Sequence, residues 1–313
     1  MNLAHLYYFK KLVEVKNYSR AAEELFIAQP TLSLAVSSLE RELGCVLIKK
    51  KRNSLELTDN GEDFYDAVVA ATNALDNSVR IIKERVSAEY GSIRVGTVYS
   101  IQDKAWSEAI HSYHCSTRSH VQINWKQGTT ESLLKDLKNG NLDVIMAGVL
   151  NKGDAEIESI PATSQSAVLL VNVANPLALK DEVSLDDLVG FPIVTYRNKK
   201  GPFASEITNL LSRHQGLSVA YDYNDEITLA SLVTADSHVL AIACHSWLIG
   251  AFSDVVPVKI TESPKDFHQF YISYRKHGRL PFVVEEFVEF MKNYDFTNVS
   301  PSDAEHLVAK EQQ

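Results

Sequence analysis

Gln29-Pro30-Thr31-Leu32-Ser33 opens a stretch in which short polar side chains recur beside an apolar series. In a helix, Thr31, Ser33, Leu34, Ser37 and Ser38 lie on the face opposite Leu32, Val36, Leu39 and Leu43. Short hydroxyls let a helix sit close to the floor of a DNA major groove, and Gln29 at its start reaches a base edge. Leu34 is the exception on that face. It cannot make a bidentate bond to guanine, but it meets a thymine methyl. Lys49-Lys50-Lys51-Arg52 follows closely and adds salt-dependent phosphate contacts that carry no sequence information. A solvated basic turn is the plainer reading of that run.

A second group of polar residues lies further along: Tyr99-Ser100, Gly128-Thr129-Thr130, Tyr196-Arg197 and Asn224. Each follows a strand-like run. In open α/β sheets ligands settle beyond the carboxyl ends of strands, where helix N-termini offer unpaired amides. Ser100 and Thr129 or Thr130 are candidate hydrogen-bond donors there, with Arg197 as a charge partner. Helix capping explains the serine and threonines equally well.

Catalytic patterns are missing from the chain. It has no phosphate-loop spacing, dinucleotide glycine fingerprint, nucleophile elbow or zinc-spaced histidine pair. His111 and His114, three apart on a predicted helix, read as a surface pair. Cys45, Cys115 and Cys244 are widely spaced, as in a reduced, cytoplasmic protein; Cys115 and Cys244 read as buried inert thiols, with a redox switch between them as the alternative. The N-terminus has no secretory pattern, and no stretch approaches the ~18 apolar residues of a membrane span.

The elements that must position these residues are legible from periodicity. Leu3, Leu6, Phe9, Leu12 and Val13 mark a first amphipathic helix. Ser19 is placed to cap a second, with Ala21, Ala22 and Leu25 inward, and Phe26-Ile27-Ala28 breaks the period. The next helix opens at Gln29-Pro30, where proline suits the first turn, and ends at Gly44. From Gly61 to Val86, Phe64, Val68, Ala71, Leu75, Val79, Ile82 and Val86 form one long stripe. Such a stripe needs a partner: a second copy in a two-stranded seam, or the chain's own body.

Charge divides the same way. Up to residue 60, nine basic groups face seven acidic ones, whereas the whole chain carries −9. The remainder is therefore strongly acidic, as expected of a DNA-contacting head on an acidic body. After Gly91, strands and helices alternate in a βαβ succession that predicts a mostly parallel sheet. Two α/β lobes joined by crossings near residues 162–166 and 263–267 would enclose a cleft.

Gln29-Pro30-Thr31-Leu32-Ser33, Leu39-Glu40, Leu43-Gly44, Leu47, Leu57-Thr58 and Gly61, with Leu6, Phe9 and Ser19-Arg20-Ala21-Ala22, resemble the N-terminal domain of the LysR-type transcriptional regulators over about sixty residues. This chain has Leu34 where the family often has arginine, and lysines where its hairpin frequently has arginine. Gly128, Leu142-Asp143 after Asn139-Gly140, and Leu232-Val233 are similar to the family's effector-binding domain, itself like the periplasmic solute-binding proteins. Asp236-Ser237-His238 replaces a glycine-rich turn.

The resemblance implies an N-terminal all-α winged helix-turn-helix (1–60) and a dimerising linker helix (61–88). It further implies a C-terminal α/β two-lobed, periplasmic-binding-protein-like effector domain (91–296), with lobe I about 91–163 and 267–296 and lobe II about 166–264. A polar, disordered tail (297–313) would follow. The implied function is binding of an inverted-repeat promoter site in double-stranded DNA, as a dimer or tetramer. Ser19, Arg20, Gln29, Pro30, Thr31, Ser33, Leu34, Ser37, Lys50, Lys51 and Arg52 would face the DNA. A small, often carboxylate-bearing effector would be held by the hydroxyls after the first strand and at the second helix. No cofactor and no membrane partner are implied. A free-standing solute-binding protein is the rival, against which the DNA-binding head and the missing export signal argue.

Overall fold

The computed structural model describes residues 1–51, 54–87, 91–102, 104–116, 121–149, 153–197, 202–212, 214, 216–223, 225–276 and 278–296; of residues 50, 51, 54, 84–87, 104 and 247 it describes the backbone alone. Two units emerge, divided near residue 88. In the first, α1 (Leu3–Val15), α2 (Tyr18–Glu24) and α3 (Gln29–Leu43) precede an antiparallel hairpin, β1 (Ile48–Lys51) and β2 (Ser54–Leu57), and a long helix, α4 (Asp59–Ser87). Phe9, Leu12, Ala22, Leu32, Val36, Leu39 and Leu47 form its core.

Two sequence expectations need correction here. Asn17, not Ser19, caps α2: its side chain accepts the Arg20 N–H at 3.0 Å from an extended backbone, while Ser19 is already inside the helix. Leu43 is 38% exposed rather than buried. The chain turns at Gly44 (φ 70°), and Leu47 fills the core beside Leu39 instead.

The family motif around Thr58 has a physical explanation. The Thr58 hydroxyl donates to the Val46 carbonyl at 2.7 Å and accepts the Gly61 N–H at 2.9 Å, so it opens α4 and ties it to the approach to the hairpin. A Cβ on Gly61 would stand 2.1 Å from the Leu47 carbonyl oxygen, so only glycine permits this approach. Along α4, Phe64 and Val68 of the expected stripe join the core. Leu75, Val79 and Ile82 are 47%, 50% and 57% exposed. The Val86 side chain lies outside the described residues.

The second unit contains two sheets. The first is built from β3 (Ser92–Thr97), β4 (Gln122–Gln127), β5 (Val144–Ala147), β6 (Ile157–Gln165) and β13 (His268–Arg275), in the order β4-β3-β5-β13-β6. Helices α5 (Lys104–Ser116), α6 (Thr130–Lys138) and α9 (Phe282–Asn293) belong to this lobe. The second sheet has the order β10-β9-β11-β7-β12-β8, from β7 (Ala167–Asn172), β8 (Glu182–Val183), β9 (Pro192–Tyr196), β10 (Ser218–Tyr223), β11 (Leu240–Cys244) and β12 (Val255–Ile260). Between its strands run α7 (Pro202–Leu211) and α8 (Glu226–Ala235).

Both sheets are mixed rather than mostly parallel. The βαβ units supply the parallel pairs β3–β4, β3–β5 and β9–β10. The two segments that pass between the lobes, β6 and β13, lie side by side and antiparallel, from Ile157 opposite Arg275 to Gln165 opposite His268. Strands β6, β8 and β12 carry no alternation clear enough to announce them.

Two buried polar arrangements hold the lobes' interiors. Asp143, with no exposed surface, accepts the Arg94 N–H at 2.9 Å and its guanidinium at 2.8 and 3.2 Å, locking β3 to the start of β5. The Asn172 and Asn175 amides donate to carbonyls of Val233 and Ser237, and the Asp236 side chain accepts the His238 N–H. Side-chain bonds thus hold the turn that lacks the family's glycines.

Candidate functional site: a polar helix face and a cavity between two sheets

On α3, Gln29, Pro30, Thr31, Leu34 and Ser37 are exposed and Ser33 is half-buried, opposite buried Leu32, Ala35, Val36 and Leu39. The polar face expected from the sequence is therefore a solvent face, with Leu34 68% exposed. Ser19 and Arg20 are exposed on α2, and the Arg20 guanidinium pairs with Glu24 at 3.2 Å. Side chains of Lys50 and Lys51, and all of Arg52, lie outside the described residues, although β1 includes the lysine backbones.

Two residues whose structural roles the sequence does not announce shape this surface. Glu40, on the inner side of α3, accepts the N–H groups of Leu47 (2.8 Å) and Ile48 (3.3 Å) and so fixes the hairpin against the helix. Phe26 holds the turn between α2 and α3 in a left-handed conformation (φ 56°), with its ring 96% exposed. Glutamate at a helix C-terminal turn carries no local signal of such a task, and a left-handed turn is ordinarily announced by glycine or asparagine.

In the α/β unit a cavity of about 340 Å³ opens between the two sheets at the strand ends. Seven of the eight sequence-selected residues line it: Tyr99, Ser100, Gly128, Thr129, Thr130, Tyr196 and Arg197. Asn224 lies outside the described residues. Thr129 precedes α6 and its hydroxyl oxygen accepts the Ser132 N–H at 3.3 Å, so it acts as a helix cap. The side-chain hydroxyls of Ser100 and Thr130 have no hydrogen bond among the described residues. Arg197 is exposed at the cavity rim.

The rest of the wall comes from residues that the sequence does not assign to a pocket, among them Val98, Phe203, Glu226, Cys244, His268 and Phe270. Buried His268 pairs with Glu206 of α7 at 2.6 Å, and Phe203 sets its ring edge-on to both Tyr196 and His268. The Tyr196 hydroxyl donates to Glu226 Oε1 at 2.5 Å and accepts the Cys244 N–H at 3.1 Å. Gln165 joins the lobes: its Nε2 donates to the Ser100 carbonyl (3.0 Å), and its Oε1 accepts the Cys244 thiol (2.9 Å).

Burial governs the titration of this cluster. Desolvation raises the Glu226 carboxyl above its ordinary range, against the Tyr196 hydrogen bond that lowers it. Desolvation also pushes Tyr196 and the Cys244 thiol well up, and the nearby Glu226 charge adds to both. Cys244 is therefore a protonated, buried thiol, whereas Cys115 is exposed on α5, 3.6 Å from His111.

Comparison with known proteins follows this division. Residues 3–62 match the profile "Bacterial regulatory helix-turn-helix protein, lysR family", and residues 87–295 match "LysR substrate binding domain". The regulator BenM of Acinetobacter baylyi is 30% identical over 217 residues, 68% of this chain and 70% of that protein. CatR of Pseudomonas putida is 31% identical over 222 residues, 70% of this chain and 74% of that one. The crystal structure of CbnR, a LysR family regulator, shares the fold at a TM-score of 0.72 and 19% identity, covering 94% of this chain and 99% of CbnR. No helix among the described residues is long and apolar enough to cross a membrane.

Proposed function

Since the chain belongs to the LysR family of DNA-binding transcriptional regulators, we propose that it acts in the cytoplasm as a dimer or dimer of dimers on an inverted-repeat promoter site, under control of a small carboxylate effector. Gln29, Pro30, Thr31, Ser33, Leu34 and Ser37 of α3 enter the major groove, with Ser19, Arg20 and the hairpin residues Lys50, Lys51 and Arg52 on the flanking backbone. Leu75, Val79 and Ile82 of α4 pack against a second copy and place two α3 helices about one DNA turn, or a multiple of it, apart.

The observation that carries the sensing half is the cavity, lined by the hydroxyls of Ser100 and of Thr130, the first residue of α6, neither of which has a hydrogen bond among the described residues. Free hydroxyls and a helix N-terminus stabilise a carboxylate by donated hydrogen bonds and by the helix dipole. Arg197 and Tyr99 contribute at the rim. An effector that fits one lobe disposition better than another shifts the equilibrium and with it the spacing of the DNA-binding heads. The boundaries 1–60, 61–88 and 91–296, with lobes exchanging near 163–166 and 264–267, describe this division of labour.

Footprinting on the DNA flanking the protein's own coding region, with and without a panel of carboxylates, tests the proposal. The footprint should change with at least one acid, and Ser100→Ala or Thr130→Val should abolish that change. An unchanged footprint across the panel rejects effector control. A monomer at micromolar concentration in sedimentation rejects the α4 seam.

A further inference from the structure

The cavity has a second polar end that its carboxylate-binding hydroxyls do not explain. Glu226, the first residue of α8, is only 3% exposed and lines the cavity. Its Oε1 is held by the Tyr196 hydroxyl, whose own oxygen is occupied by the Cys244 N–H, so the carboxyl group is oriented by a fixed chain of bonds. Its Oε2 is buried and makes no hydrogen bond to any other described residue, the Glu226 main-chain N–H being the one donor that acts on the carboxyl besides Tyr196. Bare buried carboxyl oxygens are costly and call for a partner. The buried imidazole there is already satisfied, since His268 is bonded to the partly exposed Glu206. Between Glu226 and the hydroxyls of the other lobe, Val98, Pro202, Phe203 and Phe270 supply apolar wall.

Building on the ligand-sensing reading above, we propose that Glu226 is the second polar reader of the cavity, and that the effector carries a hydroxyl remote from its carboxylate across an apolar body. A hydroxyl satisfies Oε2 in either protonation state, donating to a carboxylate or accepting from a carboxylic acid. A second carboxylate on the ligand is rejected, because it would face a buried acid away from water.

Calorimetric titration of the full chain with matched acids tests this: benzoate against 3- and 4-hydroxybenzoate, cyclohexanecarboxylate against its 3- and 4-hydroxy derivatives, and terephthalate as the dicarboxylate. At least one hydroxylated acid should bind about tenfold or more tighter than its parent, because a site built for a hydroxyl penalises its loss. Terephthalate should bind weakest. Glu226→Leu should erase the hydroxyl preference while the parent acids still bind, and Glu226→Gln should reduce it. Ser100→Ala should weaken all the acids alike. If the Leu variant fails to fold, judged by circular dichroism, the Gln variant decides: a preference undiminished there overturns the inference. Equal binding of parent and hydroxylated acids by the wild type also overturns it, while leaving the sensing reading intact if Ser100→Ala weakens both. Failure of every acid to bind removes both readings together.

Discussion

Replacing Glu40 with alanine should loosen the hairpin from α3 without unfolding the head. The Glu40 carboxylate accepts a short bond from the Leu47 N–H (2.8 Å) and a weak one from the Ile48 N–H (3.3 Å). Bonds to charged groups contribute about 1.5–3 kcal/mol, but Glu40 is half-buried and water recovers part of the loss, so about 2 kcal/mol in total is expected. That corresponds to a local opening constant raised about 30-fold. Amide hydrogen exchange in the full chain reads this directly, with Leu47 and Ile48 exchanging about 30-fold faster in Glu40→Ala and about fivefold faster in Glu40→Gln, which keeps an acceptor. If the hairpin makes the phosphate contacts proposed for it, its loosening should also flatten the salt dependence of DNA binding and weaken it about tenfold. Exchange at Leu47 within about twofold of wild type would refute the reasoning, since the bond would then carry no restraint.

Gly61→Ala places a methyl 2.1 Å from the Leu47 carbonyl oxygen and 3.1 Å from Leu57 Cδ2 and should destabilise the head by about 3 kcal/mol, measured by thermal unfolding. Phe26→Asn relieves the left-handed strain of a bulky side chain and should stabilise the head by about 1 kcal/mol; a lower Tm would mean that the exposed ring has a stabilising contact. For Glu226→Gln the sign follows from the raised folded-state pKa. Below the ordinary carboxyl value of 4.5 both side chains are neutral, and as pH rises beyond it the wild type increasingly bears the cost of a buried charge. The Tm advantage of the Gln variant should therefore grow between pH 4.5 and 8, and a constant difference would contradict the burial argument.

The head was legible in detail because its signals are local. Pro30 and Gly44 bound α3, and a period of three to four residues sorts Leu32, Val36 and Leu39 from Gln29, Thr31 and Ser37. The cavity was half legible. Ser100, Thr129 and Arg197 follow predicted strands, and the geometry of α/β sheets brings strand ends together whatever their distance in sequence. The places of Glu226, Cys244, His268 and Phe203 in the cavity wall are not legible in sequence because they arise from tertiary partners, Tyr196, Gln165 and Glu206, with no periodic or spacing signal between them. The same holds for the antiparallel pairing of β6 with β13, which joins segments about a hundred residues apart. Asn17 and Ser19 are both good caps, and only the dihedral angles distinguish the residue before the helix from one inside it.

Gln165 grips the main-chain carbonyl of Ser100 and leaves the hydroxyl alone. Main-chain carbonyls survive almost any substitution, so position 100 is free to exchange one side chain for another while the lobe-to-lobe tether persists. If Ser100 reads the effector as proposed, recognition can be retuned at this position without loss of the bond that ties one lobe to the other.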